Sequence, residues 1–121
     1  MILLDTNVLI EILKGEQATL EQVKTLDGPL GVSAISAMEL FYCALNKAEV
    51  QRLEKFLVLF QAVHVSEAVS LRAVRLVRTY SKSHGLDIPD ALIAATALEA
   101  KAALLTFNRK DFRFISGLEL I

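Results

Sequence analysis

The sequence predicts an α/β domain of three α/β/α layers, a central parallel sheet covered by helices on both faces, and three observations carry that prediction. Apolar runs of strand length recur between longer helical patterns along the chain. The opening run, Met1-Ile-Leu-Leu, is apolar at every position, as a strand buried on both faces requires. Gly15, Gly28-Pro29 and Gly85 stand where helical patterns end, so punctuation and periodicity agree.

Taken in order, Met1 to Asp5 reads as a buried strand ending in an acid. Thr6 to Leu13 is a helix closed by Lys14-Gly15, and Glu16 to Leu26 a second with Leu20, Val23 and Leu26 on one face. Gly31 to Ala34 is a short strand, and Ala37 to Asn46 an apolar helix opened by Ser36-Ala-Met-Glu39, which has capping-box spacing. Glu49 to Gln61 is amphipathic, with Val50, Leu53, Phe56, Leu57 and Phe60 at helical intervals. Val63 to Ser66 is a strand, and Glu67 to His84 the longest helix, ended by His84-Gly85. Pro89 to Ala102 is an alanine-rich helix opened by proline, followed by strands at Ala103 to Phe107 and Leu118 to Ile121. The pattern leaves the strand order open.

A length of 121 residues suits one domain spanning 1–121. Its 54% hydrophobic and 22% charged residues exclude a disordered chain. A net charge of −1 excludes a strongly basic surface over the whole molecule, so contact with a polyanion has to come from a local patch. The lone cysteine, Cys43, cannot form an internal disulfide; it reads as a buried inert thiol in a reducing compartment. Asp5 breaks the apolar start too early for a signal peptide, and Thr96, Glu99 and Lys101 interrupt the most apolar stretch. The expectation is a soluble cytoplasmic protein without membrane association.

The acids carry the chemistry. Asp5 closes a strand and opens a helix, Glu39 lies in the first turn of a helix, Asp87-Ile-Pro-Asp90 brackets another helix start, and Asp111 follows the late strand. Each alone is explained as a cap or as an acid opposing the helix dipole. Asp5, Glu39 and Asp111 follow predicted strands, however, and in an open parallel sheet helix starts after strands share the ligand-binding carboxyl edge. Carboxylates gathered there repel one another unless a cation stands between them. Oxygen donors suit Mg²⁺ or Mn²⁺, and one cysteine with two distant histidines cannot build a zinc cage. Such a site suits phosphodiester hydrolysis by metal-activated water. Nothing in the spacing brings Asp90 to this edge.

Four local sequences resemble those of PIN domains, in family order and over essentially the whole chain: Leu4-Asp-Thr-Asn-Val-Leu-Ile10, Val32-Ser-Ala-Ile-Ser-Ala-Met-Glu-Leu40, Asp90-Ala-Leu-Ile-Ala-Ala-Thr-Ala-Leu98 and Leu105-Thr-Phe-Asn-Arg-Lys-Asp-Phe112. Within that group the chain looks like a VapC-type toxin of a toxin–antitoxin pair. The resemblance implies an endoribonuclease with Asp5, Glu39 and Asp90 around Mg²⁺, with Mn²⁺ as substitute. It also implies that Thr6 orients Asp5 or a water. The fourth acid stands either where this chain has Asn108 or at Asp111. Asp111 is expected to act in the outer sphere and Asn108 to order the loop. Arg109 and Lys110 beside this edge are candidate RNA contacts, and Asp87 is read as a cap.

Arg72, Arg75, Arg78 and Lys82 share one helix face, read as solvated opposite Val69, Ala73, Val77 and Tyr80. His64 and His84 are read as structural, and Phe41, Tyr42, Phe56 and Phe60 as core. Leu57, Val58 and Leu59 add apolar surface beyond one helix face, and the resemblance supplies two candidates to cover it, a homodimer partner and an antitoxin. A catalytically degenerate module binding RNA or protein is the alternative, kept open by the amide at Asn108. A phosphotransfer receiver is excluded, because Asp5-Thr-Asn lacks the paired acid and Val63-His-Val-Ser66 lacks a phosphoacceptor.

Overall fold

A computed structural model describes residues 1–121. The central strand β1 (Ile2–Leu4) leads to helices α1 (Thr6–Leu13) and α2 (Gln17–Lys24), strand β2 (Leu30–Ser33), and helices α3 (Ala34–Tyr42) and α4 (Lys47–Leu57). Strand β3 (Gln61–Val63), helices α5 (Glu67–His84) and α6 (Ile88–Ala100), strand β4 (Ala103–Leu105) and a single 3₁₀ turn (Arg109–Asp111) complete it. All four strands are parallel, in the order β3-β2-β1-β4. The chain winds outward from β1 through β2 to β3, then returns to β1's other side with β4. The topological switch point therefore lies between β1 and β4, where open α/β sheets bind ligands.

Alternation along the strands divides the core. Leu3 and Leu104 face one way, against Ile93, Ala94 and Ala97 of α6 and against Phe112. Leu4, Leu105 and Val32 face the other, against Val8 and Leu9 of α1, Leu40 of α3 and Leu53 of α4. Helices on both faces make the three layers. Helix α6 is covered on its far side by Val69 and Ala73 of α5, which pack on Ala95. Its alanines let backbone approach sheet and helix together, and they explain why the most apolar stretch of the sequence is an interior helix. No helix is long and apolar enough to cross a membrane.

Several boundaries differ from the sequence expectation. Helix α3 starts at Ala34 with Ser33 as its cap, its Oγ accepting from the Ser36 N–H at 3.0 Å. The Ser36–Glu39 capping box does not form, because β2 runs into Ser33 and the helix begins directly behind it. Strand β3 lies earlier than Val63–Ser66, since Gly31 pairs with Gln61 and Ser33 with Val63. The terminal strand shrinks to a single parallel bridge between Leu104 and Leu120. Cys43 is exposed rather than buried, and Tyr42 is 91% exposed, because the last turn of α3 runs past the end of the core. Phe56 and Phe60 do pack together, ring centroids 5.1 Å apart.

Candidate active site

Asp5 leaves β1 and caps α1, one residue past the switch-point strand. Its Oδ1 accepts from the Thr6 N–H at 2.8 Å and its Oδ2 from the Thr106 hydroxyl at 2.7 Å. Thr106 is there because β1 and β4 pair Leu4 with Leu105, which sets the residues after each strand side by side. The carboxyl is buried, and burial is the largest influence raising its pKa above the usual 3.8. The two hydrogen bonds oppose that rise and the Asp111 charge adds to it.

Glu39 reaches the same edge from the second turn of α3. The Thr6 hydroxyl lies 2.8 Å from Glu39 Oε1 and 2.9 Å from Ser36 Oγ. A carboxylate can only accept, so Thr6 donates to Glu39 and the Ser36 hydroxyl donates to Thr6. Ser33 Oγ stands 3.4 Å behind Ser36. The result is a chain of hydroxyls, Ser33–Ser36–Thr6, that starts in the core, ends on Glu39 at the half-buried edge and fixes the glutamate. Thr6 thus holds Asp5 by its backbone N–H and, beyond the role the resemblance implied, Glu39 by its side chain.

Asp90 enters on the first turn of α6. Asp87 is the cap, its Oδ1 accepting from the Asp90 N–H at 2.9 Å, and Pro89 occupies the position where no N–H is needed. Asp90 is pushed up to about 7, first by burial and then by the charges of Asp87, Asp5, Asp111 and Glu39. All the predicted acids therefore act on one group. Asp111, in the 3₁₀ turn after β4, shares with Asp90, Asp87, Leu86, Gly85 and His84 a polar cavity of about 100 Å³. Asn108 donates its N–H to Thr106 Oγ at 3.0 Å, and its side chain makes no cap bond. Arg109 and Lys110 are exposed beside Asp111 and pair with no acid, the single ion pair being Arg72–Glu99 at 2.7 Å.

Three contributors were not identified from the sequence. Ser36 reads in the sequence as a cap, although its side chain belongs to the hydroxyl chain. Thr106 carried a signal, since it follows β4 as Asp5 follows β1, but only the strand order makes the two neighbours. His84, read as structural, forms part of the wall of the acid cavity.

No three of the acidic or histidine side chains close to direct metal-binding distance. The donor set still fits a hard divalent cation that retains waters: it is all oxygen, and Asp5 and Asp90 are both raised first by burial and further by the charge of Asp111.

The PIN domain family model matches residues 2–117. The chain is 35% identical to "Ribonuclease VapC10" of Mycobacterium tuberculosis, with 98% of this chain and 91% of the relative covered. It is 32% identical to "Ribonuclease VapC19" of the same organism, with 98% of each covered. Among solved structures, a toxin–antitoxin complex from Klebsiella pneumoniae superposes with a TM-score of 0.85 at 30% identity, over 100% of this chain and 96% of that one. VapBC2 from Rickettsia felis, bound to a DNA fragment from its promoter, gives 0.84 at 28% identity, over 100% and 98%. With the acids gathered at the β1/β4 switch point and these matches spanning nearly every residue, the chain belongs to the PIN domain family.

Proposed function

We propose that this protein is a metal-dependent endoribonuclease, the toxin of a toxin–antitoxin pair, formed by residues 1–121 as one catalytic unit. One observation carries the reading. Asp90, from the opposite half of the chain, feels the charges of Asp5, Glu39 and Asp111, which caps scattered over separate helices would not produce. The ribonuclease names of the relatives and the toxin–antitoxin titles of the structural neighbours support the substrate class and the partner.

Asp5, Glu39 and Asp90 would hold Mg²⁺, or Mn²⁺ in its place, which when bound supplies Lewis-acid polarisation of the phosphodiester and an activated water. The chain's residues do the positioning. Thr106 and the Thr6 N–H keep Asp5 in one orientation, and the hydroxyl chain does the same for Glu39. Asp111 acts at the cavity mouth in the outer sphere, and Asn108 holds the loop through its backbone. Arg109 and Lys110 meet RNA phosphates at this edge.

An antitoxin and a second copy of the chain are the partners that its apolar surface calls for. Val58 and Leu59 are 80% and 75% exposed, and Tyr42 and Leu45 are exposed on the neighbouring α3 end. The cytoplasm is the compartment this reading gives it.

The test is RNA cleavage by the purified, partner-free protein. Cleavage is expected with Mg²⁺ or Mn²⁺ and is expected to vanish in Asp5→Asn while the circular dichroism spectrum is retained. Absence of metal-dependent cleavage across total cellular RNA would overturn the proposal. Titration of Mn²⁺ by calorimetry separates the degenerate alternative, which Asn108 favours: a degenerate site gives no binding heat that Asp5→Asn abolishes.

A further inference from the structure

His84 is an exposed residue held as firmly as a buried one. Its ring stacks on Phe114, with centroids 4.3 Å apart and planes 11° apart, and meets Tyr80 edge-on at 5.7 Å. Tyr80 packs in turn on Phe114 at 5.2 Å, and its hydroxyl accepts from the Ser116 N–H at 3.4 Å. His84 Nδ1 lies 2.8 Å from Ser83 Oγ. The Ser83 hydroxyl also lies 3.4 Å from the Thr79 carbonyl, which helps hold it against the ring. The contact with Ser83 engages Nδ1 and leaves Nε2 for a further partner, which a hydroxyl that both donates and accepts can meet in either tautomer. This oriented ring helps form the wall of the polar cavity that holds Asp90 and Asp111, and it is the cavity's one imidazole.

A helix end needs none of this. The carbonyls at the end of α5 are satisfied by Gly85, whose N–H bonds the Ser81 carbonyl at 3.0 Å in the left-handed conformation, φ 71°. The other polar side chains of the cavity are carboxylates, which bind RNA hydroxyls only in competition with a cation. The imidazole is the one polar side chain of the cavity without the negative charge that draws a cation. RNA differs from DNA by a hydroxyl that both donates and accepts.

We propose that His84 is a substrate-contacting residue that hydrogen-bonds the ribose 2′-hydroxyl of the nucleotide beside the scissile phosphate. The assignment rests on the endoribonuclease reading above. Because the nucleophile in that reading is water, a substrate with a single 2′-deoxynucleotide stays cleavable, and the contact can be isolated.

The experiment compares an all-ribose oligonucleotide, cut by the protein with Mn²⁺, with versions carrying one 2′-deoxynucleotide on either side of the cut. For the wild type, deoxy substitution at one of the two positions should lower kcat/KM about fivefold, the size of one hydrogen bond. His84→Phe keeps the stack on Phe114 and loses the nitrogen; its ribose-to-deoxy ratio at that position should fall to about one. Ser83→Ala, which frees the ring to turn, should give a ratio between these. Each ratio is taken on one preparation, so a partly unfolded variant does not alter it. Wild type and His84→Phe sharing the same ratio at both positions would overturn the assignment while leaving the nuclease intact. Failure of the wild type to cut the all-ribose substrate would overturn both.

Discussion

Neutralising Asp90 is expected to make the metal-free protein more stable. Its carboxyl is pushed from 3.8 up to about 7 by burial and by four neighbouring carboxylates. Between those values the folded chain holds a proton that the unfolded chain has released. Stability is therefore intact below pH 3.8, falls as pH rises through the window, and stays low above about 7. The displacement corresponds to roughly 4 kcal/mol at about 1.36 kcal/mol per pH unit. Asp90 is only partly buried, and solvent screening reduces this to about 1–2 kcal/mol. Asp90→Asn removes the charge, keeps the shape and leaves the backbone bond to Asp87 untouched. In EDTA at pH 8 the variant should melt about 4–8 °C above the wild type, and the two curves should converge near pH 4. Thermal unfolding followed by circular dichroism from pH 4 to 8 measures this directly. Added Mg²⁺ should then raise the Tm of the wild type and not that of the variant. A variant melting at or below the wild type at pH 8, or with the same pH slope, would refute the claim that these acids share one field.

Thr6→Val removes the donor that fixes Glu39 and the acceptor of the Ser36 hydroxyl. Cleavage should fall about tenfold, and urea unfolding should register a loss of about 1–2 kcal/mol. Lys101 caps α6 in the left-handed conformation at φ 53°, a geometry that favours glycine. Lys101→Gly should stabilise the fold by about 0.5–1 kcal/mol with RNA cleavage unchanged, as read by thermal unfolding and by single-turnover cleavage.

The helices were legible wherever caps and period agreed. The first and the longest begin and end where Thr6, Leu13, Glu67 and His84 put them, because local chemistry decides those ends. Where two local patterns competed, tertiary pairing chose. Both Ser33 and Ser36 can cap, and the register of β2 against β1 and β3 selected Ser33. Val63-His-Val has the alternation of a strand, yet pairing with β2 ends at Val63. In the candidate site, strand-following acids announced themselves by position. Asp90 did not, because its location depends on α6 lying between sheet and α5, which no local pattern encodes. Thr106 and His84 stayed hidden for the same reason: each matters through a neighbour far away in the chain.

The position of β1 at the centre of the sheet has a consequence in time. The strand leaves the ribosome well before one of its two partners: β4 is made about 100 residues later, and Thr106 lies 101 residues beyond the Asp5 it anchors. At about 5–20 residues per second, the N-terminal acid waits roughly 5–20 s for the strand and hydroxyl that complete its surroundings. During that interval the nascent chain has β1, β2 and Glu39, and then Asp90, but not the β4 side of the switch point or the Thr106 hydroxyl that holds Asp5. An enzyme that cuts RNA is thereby built so that its acidic site closes only once the chain has been made as far as β4.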